Sequence, residues 1–270
     1  MPDRTASYST KRASNARQVA GYSLSVIIIT QDEADNIRAC LESVAWADEI
    51  IVVDSGSEDD TAAISREFTP HVHVHSDWPG FGVQKNRALG YASKDWVLSL
   101  DADERITPEL RREIEAVLGA TNAAAAYRIP RLSSYCGRFM RHSGWYPDLL
   151  PRLFRRGKAR FSEDLVHERL IVEGDMGELH GMLLHYAFDN LEEVLHKVNQ
   201  YSTAGAQAMH RRGRQATLAG AVLRGLWSFV RTYFLRAGFL DGREGFMLAV
   251  SNAEGTYYRY LKLMLLNQKK

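Results

Sequence analysis

The sequence predicts an α/β fold built on a mostly parallel, doubly wound sheet with helices on both faces and a helical extension behind it. Three observations carry this expectation. Apolar, β-branched runs alternate with helical stretches four times in the first half of the chain. The principal apolar runs end in polar loops rich in Asp, Ser and Gly. From Leu191 onward the strand signal disappears and helical spacing takes over.

The first 22 residues are polar and rich in Ser, Arg and Ala, and are expected to be a mobile extension. Leu24 to Ile29 reads as a first buried strand. A helix follows from about Glu33 to Val44, with Ile37, Cys40, Leu41 and Val44 on one face. Glu49 to Val53 is a second strand that ends at Asp54, and a helix is expected near Asp59 to Phe68. His71 to His75 alternates as a short strand does. Trp78 to Gly82 is a loop, followed by a helix from Gln84 to Ala92. Trp96 to Leu100 is a strand, and Thr107 with Pro108 opens the next helix as cap and first residue. After about Ala125, short strand-like pieces stand at Ala126–Pro130, Arg152–Phe154, Val166–Val172 and Met182–His185. The expected division is 1–22 as extension, 23–190 as one α/β domain with halves 23–124 and 125–190, and 191–270 as a helical tail.

Composition narrows the function. The chain has 270 residues, enough for one large α/β domain and an appendage. Its net charge of +1 names no nucleic-acid partner. Cys40 and Cys136 match neither a metal spacing nor a disulfide framework, which fits a reducing compartment. No signal peptide is expected, and no uncharged apolar run reaches the ~18–20 residues that cross a bilayer. The expected location is therefore the cytoplasmic side.

The chemistry concentrates in Leu100-Asp101-Ala102-Asp103, where a buried strand runs into two carboxylates. Ligands of open α/β sheets bind beyond the carboxyl ends of the strands. Two aspartates there can hold a hard divalent cation, Mg²⁺ or Mn²⁺, which in turn holds a diphosphate. Taken alone, the same residues also read as a turn that caps a helix. Two further loops, Thr30-Gln31-Asp32-Glu33 and Asp54-Ser55-Gly56-Ser57, end neighbouring strands. A carboxylate such as Asp54 can accept from a uracil N–H, and Gly56 lets backbone approach a ligand. Glu33 either caps its own helix or touches the nucleotide. Lys85 and Arg87 either meet the diphosphate or face water.

Together these loops, with Gly82 to Arg87, resemble the nucleotide-sugar half of family 2 glycosyltransferases over roughly residues 24–190. The resemblance implies a GT-A, Rossmann-like fold. It makes Asp103 the direct metal ligand, with Asp101 at the ribose or on the metal through water. Thr30, Glu33, Asp54, Gly56, Lys85, Arg87 and Asp101 then fall at the nucleotide sugar. His185, at the end of a strand, is a further metal or diphosphate ligand or else a core histidine. An inverting enzyme needs a general base. Val166-His167-Glu168 resembles the His-Glu motif of the lipopolysaccharide-core branch, and Glu163-Asp164 the Glu-Asp pair of other members. Glu168 is the favoured base and Asp164 the alternative. Trp145 and Tyr146 are expected to stack on an acceptor sugar, or to be core. Arg152, beside Leu153-Phe154-Arg155, is expected at the acceptor or at phosphate, or facing water.

Thr217 to Leu235 reads as a helix with Leu218, Val222, Leu226, Phe229 and Tyr233 on a broad apolar arc and Arg224, Ser228 and Arg231 opposite. A basic, aromatic tail suits an anionic membrane surface; a packing or dimer face is the other reading. The tail, including Gly238-Phe239-Leu240-Asp241-Gly242, resembles that of lipopolysaccharide core β-glucosyltransferases. The expected activity is metal-dependent, inverting transfer of a hexose, glucose from UDP-glucose foremost, to an inner-core sugar of lipopolysaccharide at the inner membrane face. Another glycan or lipid-linked acceptor is one alternative. A sugar nucleotidyltransferase is a second, but the Gly-rich, Lys/Arg-containing loop it needs after the first strand is replaced by Thr30-Gln31-Asp32-Glu33. A non-catalytic binding protein is a third, and both aspartates of the Asp-x-Asp turn stand against it.

Overall fold

The computed structural model describes residues 23–163 and 168–268. Its elements are β1 (Leu24–Thr30), α1 (Ala34–Val44), β2 (Glu49–Asp54), α2 (Thr61–Arg66), β3 (Val72–Val74), α3 (Phe81–Tyr91), β4 (Trp96–Asp101), β5 (Glu104–Ile106) and α4 (Pro108–Leu118). There follow β6 (Ala126–Tyr135), β7 (Arg138–Phe139), β8 (Asp148–Arg155), β9 (Ala159–Phe161), β10 (Leu170–Val172), β11 (Met176–Glu178) and β12 (Leu183–His185). The chain then runs through α5 (Leu191–Arg211), α6 (Leu218–Val230), a π-helical turn Arg231–Leu235, a 3-10 turn Gly238–Asp241 and α7 (Gly242–Gln268).

The main sheet runs in the order β3-β2-β1-β4-β8-β6-β12-β5, with β7 and β11 also paired to β6. It is parallel from β3 to β4, as expected, and antiparallel where β8 joins β4 and β6. Alternation along β1 explains why both faces are covered. Val26 and Ile28 pack with Ile37, Leu41 and Val44 of α1 and with Leu110 and Ile114 of α4. Ile27 and Ile29 turn to the other face and meet Ala88 of α3 and Phe154 of β8. The α4 helix starts where the sequence places it: Thr107 Oγ1 accepts from Leu110 N at 3.2 Å and Pro108 occupies the first turn.

The second half departs in detail. β6 and β8 are longer than their apolar cores suggested, because antiparallel pairing extends them through polar residues. The brief strands β5, β7, β9 and β11 carry no apolar run that would have marked them. Residues 166 and 167 of the expected Val166–Val172 strand lie outside the described residues, and the strand itself is confined to Leu170–Val172.

The helices of the tail are fastened to the sheet domain. Asp241, 2% exposed, accepts from Arg141 N, His142 N, His142 Nδ1 and Ser143 Oγ. The Gly238–Asp241 turn thereby clamps the loop that follows β7. The α6 helix packs on α7. Part of its polar stripe is engaged by α7: Ser228 Oγ donates to Asn252 O at 3.1 Å and Arg224 stacks on Tyr260 at 4.5 Å, while Arg224 and Arg231 stay exposed. The contact with α7 runs through Ala221 and Gly225, both buried. Leu223, Leu226 and Trp227 point outward and are more than half exposed.

Candidate active site

Parallel pairing in register brings the three strand-end loops together. Thr30 lies beside Asp54, and Ile29 beside Asp101, so β1, β2 and β4 end on one edge. Asp101 and Asp103 lie on the turn between β4 and β5, which Glu104 closes by accepting from Asp101 N at 3.0 Å. β5 pairs antiparallel with β12, which sets His185 opposite Glu104. Parallel pairing of β12 with β6 sets His185 beside Ser133. His185 therefore spans two partners: Nε2 meets Asp103 Oδ2 at 3.1 Å and Nδ1 meets Ser133 Oγ at 2.9 Å. Asp103 and His185, 82 residues apart in sequence, form one pair at the sheet edge.

An open cleft of about 590 Å³ lies over this edge. Thr30, Glu33, Asp101, Asp103 and His185, all candidates from the sequence, line it. Arg131, Trp78, Phe81, Lys197 and Tyr201 line it too and had no assigned role. Trp78 and Phe81 meet edge to face with centroids 4.8 Å apart, both about half exposed. The loop Trp78 to Gly82 was visible in the sequence, but nothing there said that it would hang over the Asp-x-Asp turn.

Three carboxylates, Glu33, Asp101 and Asp103, line the cleft beside Arg131 and Lys197. Burial, with Asp103 and Asp59 nearby, pushes the Glu33 carboxyl above its ordinary value despite a hydrogen bond from Asn36. Asp103 Oδ1 is buried and has no hydrogen-bond partner. An unpartnered carboxylate oxygen beside an imidazole nitrogen is a donor set that Mg²⁺ or Mn²⁺ accepts. Among the described residues no three His, Cys, Asp or Glu side chains are grouped to hold a metal. The pair alone still suits a cation that takes its other ligands from phosphate and water.

Beneath the cleft runs a chain of ion pairs. Lys85 Nζ stands between Asp101 Oδ1 at 3.0 Å and Glu168 Oε1 at 3.2 Å. Arg152 Nη2 binds Asp101 Oδ2 at 2.7 Å and Glu104 Oε1 at 2.6 Å. Arg131 reaches the same Glu104 oxygen at 3.5 Å and Asp148 Oδ2 at 2.8 Å. Burial opposes ionisation of Asp101, but Arg152 and Lys85 outweigh it and hold its carboxyl well below the usual carboxylate range. Burial pushes the Glu104 carboxyl up, against the pull of Arg152.

Several expected site residues have other partners. Arg152, expected at an acceptor sugar or at phosphate, is buried and committed to Asp101 and Glu104. Arg87, expected near the diphosphate, pairs with Asp77 at 2.6 Å and is not in the cleft wall. Asp54 serves its own loop: Oδ2 accepts from Gly56 N and Ser57 N, each at 3.0 Å, and Oδ1 from Ser57 Oγ. Gly56 sits at φ +85°, where that turn favours glycine. Trp145 packs on Tyr135 and Phe188, and Tyr146 precedes a cis proline. Asp164 lies outside the described residues.

Three residues of α3 touch Glu168 and the strand end Phe161–Ser162. Asn86 Oδ1 accepts from Phe161 N, and its amide donates to Phe161 O, both at 2.9 Å. Lys85 pairs with Glu168 itself. At Gly82 a Cβ would overlap the Ser162 carbonyl oxygen, so α3 and this strand-end segment touch backbone to backbone.

The chain is similar to known proteins along most of its length. The family model Glycosyl transferase family 2 matches residues 25–170. Lipopolysaccharide core biosynthesis glycosyltransferase LpsC of Rhizobium meliloti (strain 1021) is 31% identical over 257 residues, covering 91% of this chain and 92% of that protein. The uncharacterized glycosyltransferase RP128 of Rickettsia prowazekii (strain Madrid E) is 30% identical and covers 91% of this chain and 88% of its own. Among solved structures, Staphylococcus aureus TarS 1-349 aligns over 92% of each chain at 15% identity with a TM-score of 0.46.

Proposed function

The chain belongs to glycosyltransferase family 2, and from that premise we propose that it is a metal-dependent, inverting hexosyltransferase acting on a lipopolysaccharide core acceptor. The observation that carries the reading is the Asp103–His185 pair at the floor of a cleft walled by Thr30, Glu33 and the aromatic loop Trp78–Phe81. The similarity to LpsC supports the acceptor class. UDP-glucose is the donor proposed.

In this reading Asp103 and His185 Nε2 would hold Mg²⁺ or Mn²⁺. Bound there, the cation offsets charge on the departing diphosphate. Were Nε2 to hold a metal, the imidazole proton would lie on Nδ1, where Ser133 Oγ at 2.9 Å could accept it and fix the ring. Lys85 and Arg152 keep Asp101 ionised, so that it can accept from a ribose hydroxyl. Trp78 and Phe81 exclude water from one side of the cleft. Glu168 receives the proton of the acceptor hydroxyl. Lys85 keeps its carboxylate oriented toward the Asp101 side.

Calorimetry with UDP and Mn²⁺ tests the donor site. Asp103→Ala is expected to weaken metal-dependent UDP binding by at least about tenfold while circular dichroism stays unchanged. Undiminished binding would show Asp103 to be a turn residue only.

The tail is proposed to hold the enzyme on an anionic membrane. No helix among the described residues is long and apolar enough to cross one. Instead α6 and the two turns after it turn Leu223, Leu226, Phe234 and Leu235 outward, each more than half exposed. Leu226→Glu combined with Leu235→Glu should cut co-sedimentation with phosphatidylglycerol vesicles at least about tenfold, since it removes apolar area and adds repulsion. Equal sedimentation of variant and parent would make this face a packing surface instead.

A further inference from the structure

A second, larger cavity of about 760 Å³ lies between α5, α6, α7 and the loop around Trp145. Lys197, Arg224, Arg231, Arg236 and Arg259 all line it, and no carboxylate does among the described residues. None of these five cations forms a salt bridge within the described residues. Five uncompensated cations on one concave wall repel one another, and an anion relieves that repulsion. Much of the rest of the wall is aromatic or hydroxylic, Trp145, Tyr201, Tyr260 and Ser228 included, beside Asn252 and the aliphatic Val194, Val198 and Leu248. Flat rings and neutral donors suit the faces and hydroxyls of a sugar, as cations suit a phosphate or carboxylate. The cavity also adjoins the donor cleft, for Lys197 and Tyr201 of α5 line both.

We infer that this cavity docks the acceptor as an anionic sugar, a saccharide carrying phosphate or carboxylate, with Arg231 and Arg236 on the charge and the aromatic wall on the ring. The inference rests on the donor-cleft reading for the identity of the second substrate. It adds that the helical tail supplies a wall of the acceptor site, where sequence reasoning had sought the acceptor within residues 125–190. Arg236 lies against Gly144 and its carbonyl accepts from Ser143 N at 2.8 Å, so this wall is fixed to the loop that carries Trp145.

The test is a titration of the full chain with glucose 6-phosphate as probe, with glucose and inorganic phosphate as separate arms. Binding of glucose 6-phosphate is expected to exceed that of either fragment. The double variant R231Q/R236Q should weaken it at least about tenfold, the loss expected for charge-assisted hydrogen bonds. Mn²⁺-dependent UDP binding should be unchanged in that variant. R259Q/K197Q, which does not disturb the loop at Gly144, should weaken sugar-phosphate binding in the same direction. Equal affinity of parent and both variants would overturn the proposal, as would inorganic phosphate binding as tightly as the sugar phosphate. If the variants instead lose only phosphatidylglycerol vesicles, the cations serve the membrane and the proposal falls. A failure of the donor reading shows separately, as absence of Mn²⁺-dependent UDP binding by the parent protein.

Discussion

Replacing Glu168 by Gln is expected to slow transfer at least ~10²-fold while UDP binding with Mn²⁺ is kept. The amide preserves shape but cannot take a proton. Glu168 is three-quarters buried and stands 3.2 Å from Lys85, which also binds Asp101. The substitution leaves Lys85 its pair with Asp101, so the donor side should stay assembled. Rates on saturating donor and acceptor, measured beside Asp164→Asn, decide between the two carboxylates. A silent Glu168→Gln with an inactive Asp164→Asn would move the base to Asp164.

Arg152→Met is expected to destabilise the fold by about 3–5 kcal/mol, the cost of leaving a buried charge without its partner. Among the described residues only this guanidinium bonds both the Asp101 and the Glu104 carboxylates. Without it Glu104, fully buried, keeps only Arg131, at 3.5 Å, as a cationic partner and favours its protonated form, while Asp101 retains Lys85. The native state of the variant then binds more protons than the unfolded chain across the carboxylate range, so its stability falls as pH rises. The deficit relative to the parent should be greatest at neutral pH and shrink as pH is lowered toward ~4. Urea titrations at three pH values measure it. A deficit that is small at neutral pH, or that grows on acidification, would remove Arg152 from this role.

The contrast between these two residues shows what the sequence could disclose. The three strand-end loops were legible because buried parallel strands are continuous apolar runs, and the first polar residue after each marks the binding edge. Asp103 and His185 were legible as single residues for the same reason. Their direct contact was not, since it depends on β5 pairing with β12, and β5 has only three residues. Arg152 was visible as a cation but not as an interior one. Its partners lie 51 and 48 residues upstream, and only the antiparallel placement of β8 beside β4 brings them under it. Asp54 was legible as a strand end, whereas the saturation of its oxygens by Gly56 and Ser57 follows from a turn conformation that composition does not reveal. On α6 the period of the apolar arc was correct in outline. Which side faced the protein was decided by Ala221 and Gly225, small residues that let α7 come close.

The glycines of α3 divide that helix into a part that evolution can vary and a part that it cannot. At Gly82 any side chain would separate Lys85 from Glu168 by forcing α3 off the Ser162 carbonyl, whereas at Gly90 an added Cβ meets nothing within 4 Å. Alanine at 90 would remove backbone freedom from the unfolded chain and stiffen the helix, worth about 0.5–1 kcal/mol. A library of single replacements should thus be empty at 82 and populated at 90. Two identical letters eight positions apart would carry opposite mutational histories, one written by contact with the segment that ends in Ser162 and the other by nothing at all.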